Sequence, residues 1–264
     1  MSAQTSTQPP VREPSRDLQR VPFVRLVRVE LRKSYDTRAG FWLLTAIGGI
    51  TAIAVVILLF VGKQGDLTFD NFTAATGIPQ GILLPVLGIL LVTSEWTQRT
   101  GLVTFTLEPN RLRVASAKVS AAVVLGLIAV AVAFAVATLA NLAGMAIRSG
   151  SGDWSFGIAG FADITILQLL GILGGLAFGM LLLNSAAAIV LSFAVPTVIA
   201  ILFAWDKIAS AAPWVDPSTA QGPLQTHTMT GEDWVHLAVN TIIWVVLPLA
   251  LGVLRIMRSE VKSA

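Results

Sequence analysis

The sequence lacks cysteine and has only two histidines in 264 residues. Disulfides, thiolate metal sites and cysteine nucleophiles are therefore excluded, and His227 and His236 leave little for a metal site. Charged residues are also scarce, because Asp, Glu, Lys and Arg make up 12% of the chain, whereas a soluble domain carries about 25%. With 55% apolar residues and a mean hydropathy of +0.76, the missing polar surface indicates that lipid is the solvent.

Signatures of catalysis are missing too. The sequence has no G-x-x-x-x-G-K-[ST] phosphate loop, and its one Gly-Lys pair, Gly62-Lys63, has no glycine at the required offset. No nucleophile triad, paired-carboxylate site or metal-ligand cluster emerges, which argues against an enzyme. The net charge of +3 lies in islands between apolar runs rather than on one basic face, which disfavours a nucleic-acid-binding protein.

Long runs without a charged residue predict six membrane-spanning helices, since about 20 apolar residues cross the hydrocarbon core. The run 164–205 decides the number, because its 42 residues would form a helix of about 63 Å, twice the core thickness. It must fold back, and Asn184-Ser185 is the best turn. Helices buried in a soluble bundle are the disfavoured alternative. The predicted spans are 41–62, 74–94, 119–147, 162–183, 186–205 and 234–254.

The distribution of lysine and arginine predicts the orientation. With the amino terminus inside, the inner segments 1–40, 95–118, the 184–185 turn and 255–264 carry eight, four, none and three basic residues, fifteen of the 18. Both termini are therefore expected to be cytoplasmic. The segment 1–21 is expected to be a disordered tail, 41–255 the membrane domain and 256–264 a second tail.

The segment 22–40 has the pattern of an amphipathic interfacial helix. Phe23, Val27, Leu31 and Tyr35 recur every four positions, and arginines line another face. Such a helix lies in the inner headgroup layer with its basic residues toward lipid phosphates or a partner. A basic flank without fixed structure is the alternative. The basic residues assigned to this helix are Arg25, Arg28, Arg32 and Lys33.

The inner segment between spans two and three, 94–118, is the least membrane-like part of the membrane domain. It predicts a short helix over 97–107, with Leu102, Phe105 and Thr106 on one side and Arg99 opposite. Glu108-Pro109-Asn110 then breaks the helix. A helix parallel to the membrane and fixed between two spans can pass a push from a soluble partner into the bundle.

This segment resembles the permease subunits of ABC-2-type transporters, in the branch common in actinobacteria. The family places a Glu at the inner end of the second span, then a Gly-led short helix, a Pro and basic residues before span three. Its usual spacing puts Gly closer to Glu than the six residues found here, and the longer spacing looks like the actinobacterial variant. The residues that carry the resemblance are Glu95-Trp96-Thr97, Arg99-Thr100-Gly101, Thr104-Phe105-Thr106, Pro109, Arg111, Arg113 and Lys118.

The resemblance implies a bacterial plasma-membrane exporter of two permeases, as a homodimer or a pair of related chains, with two separate ATP-binding subunits. The short inner helix would dock in a groove of the ATPase, which would hold ATP and magnesium, so this chain needs no cofactor. The cargo would be an amphiphilic or drug-like solute moved outward. The residues expected to couple the partners are Glu95, Trp96, Arg99, Thr100, Gly101, Phe105, Pro109, Arg111, Arg113 and Lys118.

Two other function classes stay open: a non-transporting membrane anchor or sensor, and an intramembrane enzyme acting on lipid. Four further expectations concern single residues. Glu95 is expected to pair with Arg111 or Arg113, or to cap the short helix. Asp163 is expected to cap span four and His236 to be interfacial. Four glycines on span four, which allow helices to approach closely, are expected to pack within the protomer or between protomers: Gly171, Gly174, Gly175 and Gly179.

Overall fold

The computed structural model of the chain describes residues 21–98 and 101–258. In these residues every regular element is helical and no β-strand occurs, which confirms the predicted all-α class. The helices are α1 (Phe23–Asp36), α2 (Arg38–Val61), α3 (Phe69–Thr97), α4 (Gly101–Leu107), α5 (Arg111–Arg148), α6 (Gly157–Leu182), α7 (Ser185–Phe203), α8 (Ala212–Val215), α9 (Pro217–Gln225), α10 (Gly231–Thr241) and α11 (Leu247–Arg258). A π-helical turn, Ile242–Val246, joins α10 to α11 without a break.

Six helices are long and apolar enough to cross a membrane: α2, α3, α5, α6, α7 and the continuous run Gly231–Arg258. The predicted number of helices able to cross a membrane, six, is therefore confirmed. Several of them extend beyond the charge-free runs, because caps rather than charges set their ends. Asn110 accepts a hydrogen bond from the Arg113 amide at 3.2 Å, so α5 begins at Arg111 rather than at residue 119.

The two ends of the bundle carry different parts of the chain. The Arg113 guanidinium donates to the Val21 carbonyl at 2.7 Å, and Arg255 donates to the Leu181 carbonyl. The start of α1, the helix α4, the α6–α7 turn and the end of α11 therefore lie together, and we call this end the terminal side. The opposite end, the loop side, carries residues 62–68, 149–156 and 204–230.

The segment predicted as one interfacial helix over 22–40 is divided in the structure. Helix α1 ends at Asp36, and Thr37 adopts an extended conformation. The Thr37 hydroxyl accepts a hydrogen bond from the Gly40 amide at 3.1 Å, so a new helix, α2, starts at Arg38. A side chain at Gly40 would overlap the Ser34 carbonyl oxygen, so this glycine lets α2 leave α1 at close range.

Helices α3 and α6 form the centre of the bundle, where glycines bring their backbones together. A Cβ at Gly175 of α6 would overlap the carbonyl oxygen of Pro85, and one at Gly88 of α3 would overlap that of Ile172. Gly179 likewise faces the backbone of Ile89. The small-residue pattern of span four therefore serves packing inside the chain at these positions. Helix α7, by contrast, buries only Ala188.

On the loop side, a histidine ties two spans to the long loop. His227 Nδ1 lies 3.0 Å from Asp163 Oδ2 of α6, and Nε2 lies 3.5 Å from Asp70 Oδ1 of α3. The expectation that Asp163 caps span four is wrong. The residues before it are apolar and continue the helix back to Gly157, so Asp163 is buried inside α6 and faces the loop instead.

The apolar stretch 209–215 packs against the last span. The Trp244 indole donates to the Val215 carbonyl at 2.7 Å, and the Trp214 ring meets the His236 ring edge-on at 4.3 Å. His236, expected at an interface, is buried because the loop covers it. The loop is therefore part of the folded bundle.

Gly175→Ala should destabilise the protein by about 1–3 kcal/mol, because the new methyl group overlaps backbone that cannot move independently. Gly174→Ala is the matched control, since its Cβ meets only Val245 Cγ2 at 4.0 Å and alanine favours the helix. Thermal unfolding of both variants in one detergent measures the difference. Equal midpoints would contradict the close approach of α3 and α6.

Candidate functional site

Four charged side chains meet on the terminal side, and we call them the four-charge cluster: Glu30, Lys33, Glu95 and Lys118. Lys118 Nζ lies 2.6 Å from Glu30 and 3.2 Å from Glu95, and Lys33 Nζ lies 2.7 Å from Glu30 and 2.5 Å from Glu95. The side chains of Glu30, Glu95 and Lys118 are only 4–5% exposed, and that of Lys33 is 32% exposed. Two acids and two bases thus neutralise one another, and among the four only Lys33 is partly exposed to solvent.

The cluster joins three helices. Glu30 and Lys33 are three residues apart on α1, so they share one helix face. Glu95 lies in the last turn of α3, and Lys118 lies two turns into α5, where its ammonium also donates to the Leu91 carbonyl at 3.1 Å. Helices α1, α3 and α5 are therefore held by one set of charges.

The short helix α4 is attached to the same cluster. Thr104 donates its hydroxyl to Glu95 Oε1 at 3.2 Å. Phe105 packs with Trp96 against the core of the bundle, and the Arg111 guanidinium lies over the Phe105 ring at 5.0 Å. A displacement of α4 would therefore be transmitted to α3 through the polar contact of Thr104 and the apolar contact of Phe105.

A second set of contacts fixes the chain after α4. Glu108 Oε2 accepts a hydrogen bond from Arg113 at 2.7 Å, and the same guanidinium reaches the Val21 carbonyl. Arg111 donates to the Ile256 carbonyl at 2.7 Å. The start of α5 thereby connects the region after α4 to both α1 and α11.

The electrostatics keep Lys33 charged. Burial alone lowers the pKa of the Lys33 ammonium, but the charges of Glu30 and Glu95 and the hydrogen bonds to them outweigh burial and raise that pKa above its ordinary value. Lys33 therefore stays protonated throughout the physiological range. The four side chains therefore form an ionic joint among α1, α3 and α5.

Two expectations about this segment are corrected by the structure. Glu95 pairs with Lys33 and Lys118 rather than with Arg111 or Arg113, because those arginines lie at the start of α5 and Lys118, two turns further on, reaches the level of Glu95. The short helix begins at Gly101 rather than at Thr97, since α3 continues through Thr97.

The remaining predicted residues fall into three groups. Arg25, Arg28 and Arg32 lie on the exposed face of α1, as expected from the sequence, whereas Lys33 turns inward. Pro109 is exposed between α4 and α5. Arg99 and Thr100 lie outside the described residues.

Sequence reasoning missed Glu30 as a member of this site, and it named Thr104 only as part of the motif of residues 94–118, without its contact to Glu95. Glu30 is the one acidic residue among the basic positions of α1 before Asp36, and it lies three positions before Lys33. An isolated carboxylate on the apolar side of an amphipathic helix signals a buried cationic partner. Thr104 offers no such signal, because a threonine in a short helix is ordinary.

Comparison with known proteins assigns no relative: no protein-family model and no curated protein matches the chain. The support for a function is therefore the chain's own geometry, together with the pattern of residues 94–118. That geometry is a short helix between α3 and α5, hydrogen-bonded through Thr104 to a cluster of charges that joins α1, α3 and α5.

Lys118→Met should destabilise the protein by about 3–5 kcal/mol, because it leaves two buried carboxylates with one ammonium. Adding Glu30→Gln restores neutrality, so the double variant should be more stable than Lys118→Met alone. Unfolding of the wild type, both single variants and the double variant measures the coupling. Strictly additive losses would show that the four charges do not act together.

Proposed function

We propose that the chain is the permease subunit of an ABC-2-type exporter, which moves an amphiphilic or drug-like solute outward with ATP hydrolysed by a separate subunit. The observation that carries the proposal is the attachment of α4 to the four-charge cluster through Thr104 and Glu95. The motif of residues 94–118, which resembles that family, supports it. The lysine and arginine distribution supports a cytoplasmic location for the terminal side.

Helix α4 offers a docking face for the ATPase. Leu102 is 43% exposed, and Thr106, one turn further along the helix, is exposed as well. An exposed apolar side chain on a short helix at the end of the bundle would be covered by a groove on a soluble partner. The partner would hold ATP and magnesium.

Force from the ATPase would enter the bundle along a defined set of contacts. A push on α4 reaches α3 through Thr104 and Glu95, α5 through Lys118, and α1 through Lys33. Because these charges are buried and mutually paired, the helix ends move as one unit. Nucleotide binding in the partner would then shift the bundle between inward-open and outward-open states.

The cargo class is inferred from the character of the spans. They are predominantly apolar, so a pathway between two permease copies would favour amphiphilic solutes over ions. Transport by two permeases also requires a second copy or a related chain.

Affinity purification of the full chain from its native membrane should recover an ATP-binding protein whose hydrolysis rate rises in its company. Leu102→Asp should reduce that recovery by about tenfold or more, because it puts a charge in the docking face. Ile208→Asp is the control, since Ile208 is 40% exposed on the loop side.

The same purification separates the other classes. An anchor or sensor subunit would recover partners without stimulating ATP hydrolysis. A lipid-modifying enzyme would turn over lipid alone, without ATP. Equal recovery with Leu102→Asp and Ile208→Asp would rule out α4 as the docking face.

Thr104→Val should weaken the coupling of ATP hydrolysis to this chain while leaving ATPase recovery intact. It keeps the side-chain shape but removes the hydrogen bond to Glu95, about 1 kcal/mol or a fivefold effect. Thr45→Val is the matched control, because Thr45 is exposed on α2, away from the docking face, and donates to the Phe41 carbonyl of its own helix. Stimulation of ATP hydrolysis in vesicles is the measurement, and equal stimulation by both variants would exclude the Thr104–Glu95 contact from coupling.

A further inference from the structure

A cavity of about 720 Å³ opens on the terminal side between α1, the last turn of α3, α4 and the start of α5. Its size falls within the range of small-molecule sites, about 300–1,000 Å³. Thr37 and Ser94, which lie where spans one and two end, border it, so it sits at the level of the lipid headgroups. Its apolar walls are formed by Leu26, Val29, Val103, Leu107 and Val114.

The charges around the cavity favour an anion. Its three carboxylates are already paired, Glu30 and Glu95 within the four-charge cluster and Glu108 with Arg113. Arg25 also lines the cavity, and among the described residues it makes no ion pair. The lining itself carries two cations, Arg25 and Lys33, and three carboxylates, Glu30, Glu95 and Glu108. Arg113 and Lys118 do not line the cavity but pair with these carboxylates, so Arg25 is the cation of this group that no carboxylate neutralises.

The geometry points to a binding site for an anionic phospholipid of the adjoining leaflet, with its phosphate at Arg25 and one acyl chain along the apolar walls. An arginine without a carboxylate partner at a membrane surface attracts such headgroups, and each arginine near the surface contributes about a fivefold gain in affinity. The site needs only a membrane around the chain. Its test therefore involves no ATPase, and its failure leaves the exporter proposal standing.

Because the sequence has no cysteine, a single introduced cysteine can be labelled specifically. Val29→Cys, on the cavity wall, carries a bimane fluorophore in the full-length protein in detergent. Phosphatidylglycerol and phosphatidylcholine with identical brominated oleoyl chains are the quenching probes. Val24→Cys is the positional control, because Val24 is exposed on the same helix but does not line the cavity.

We expect phosphatidylglycerol to quench the label at position 29 at about a fivefold lower concentration than phosphatidylcholine. Arg25→Gln should remove this difference, and Arg28→Gln, one turn away on the exposed face, should preserve it. Millimolar glycerol phosphate should not reverse the quenching, because the acyl chain contributes to binding.

Four results would overturn the site. Equal quenching by both lipids at position 29 removes the headgroup preference. The same preference at position 24 reduces it to general attraction by a basic helix. If Arg25→Gln and Arg28→Gln reduce the preference for phosphatidylglycerol equally, the preference again reflects general attraction by a basic helix. Reversal by glycerol phosphate shows a simple phosphate site rather than a lipid site.

Discussion

The terminal side of the bundle depends on one constraint: charges removed from water must stay beside their partners. Glu30, Glu95 and Lys118 lie in an apolar setting where a lone charge costs several kcal/mol. Moving or removing any one of the three side chains would leave a buried charge with one ion-pair partner fewer. Helices α1, α3 and α5 are therefore positioned by mutual neutralisation rather than by apolar contact alone.

This constraint gives α3 a particular role, because the helix that holds Glu95 also packs most closely against the rest of the bundle. Its glycine contacts with α6 allow backbone to touch backbone, which leaves little freedom for the two helices to slide apart. Motion delivered at one end of α3 is thereby shared with α6. The ion pairs of Glu95 at the end of α3 and its close glycine packing against α6 in the middle make α3 a rigid connection between these two regions.

The large features of the fold could be predicted from sequence because each has a local cause. Charge-free runs specify the six spans, and the fourfold apolar repeat specifies α1. The partners of Glu95 could not be predicted, since choosing Lys118 over Arg113 requires knowing how far α5 extends and which way it faces α3. The prediction that Asp163 caps span four was wrong for a related reason. A capping residue can be assigned only when the first residue of the helix is known, and the distribution of charges does not reveal where α6 begins.

The π-helical turn at Ile242–Val246 has a consequence for the last span. One extra residue in a helix rotates the part after the turn by about 100° relative to the part before it, since each residue of an α-helix turns by that angle. The half of the span on the loop side can thus face the Trp214 region while the other half presents Gly252 to Met180, without a break in the backbone. The last span can thereby pack against the Trp214 region and against Met180, which lie in different directions around its axis, while remaining one continuous helix.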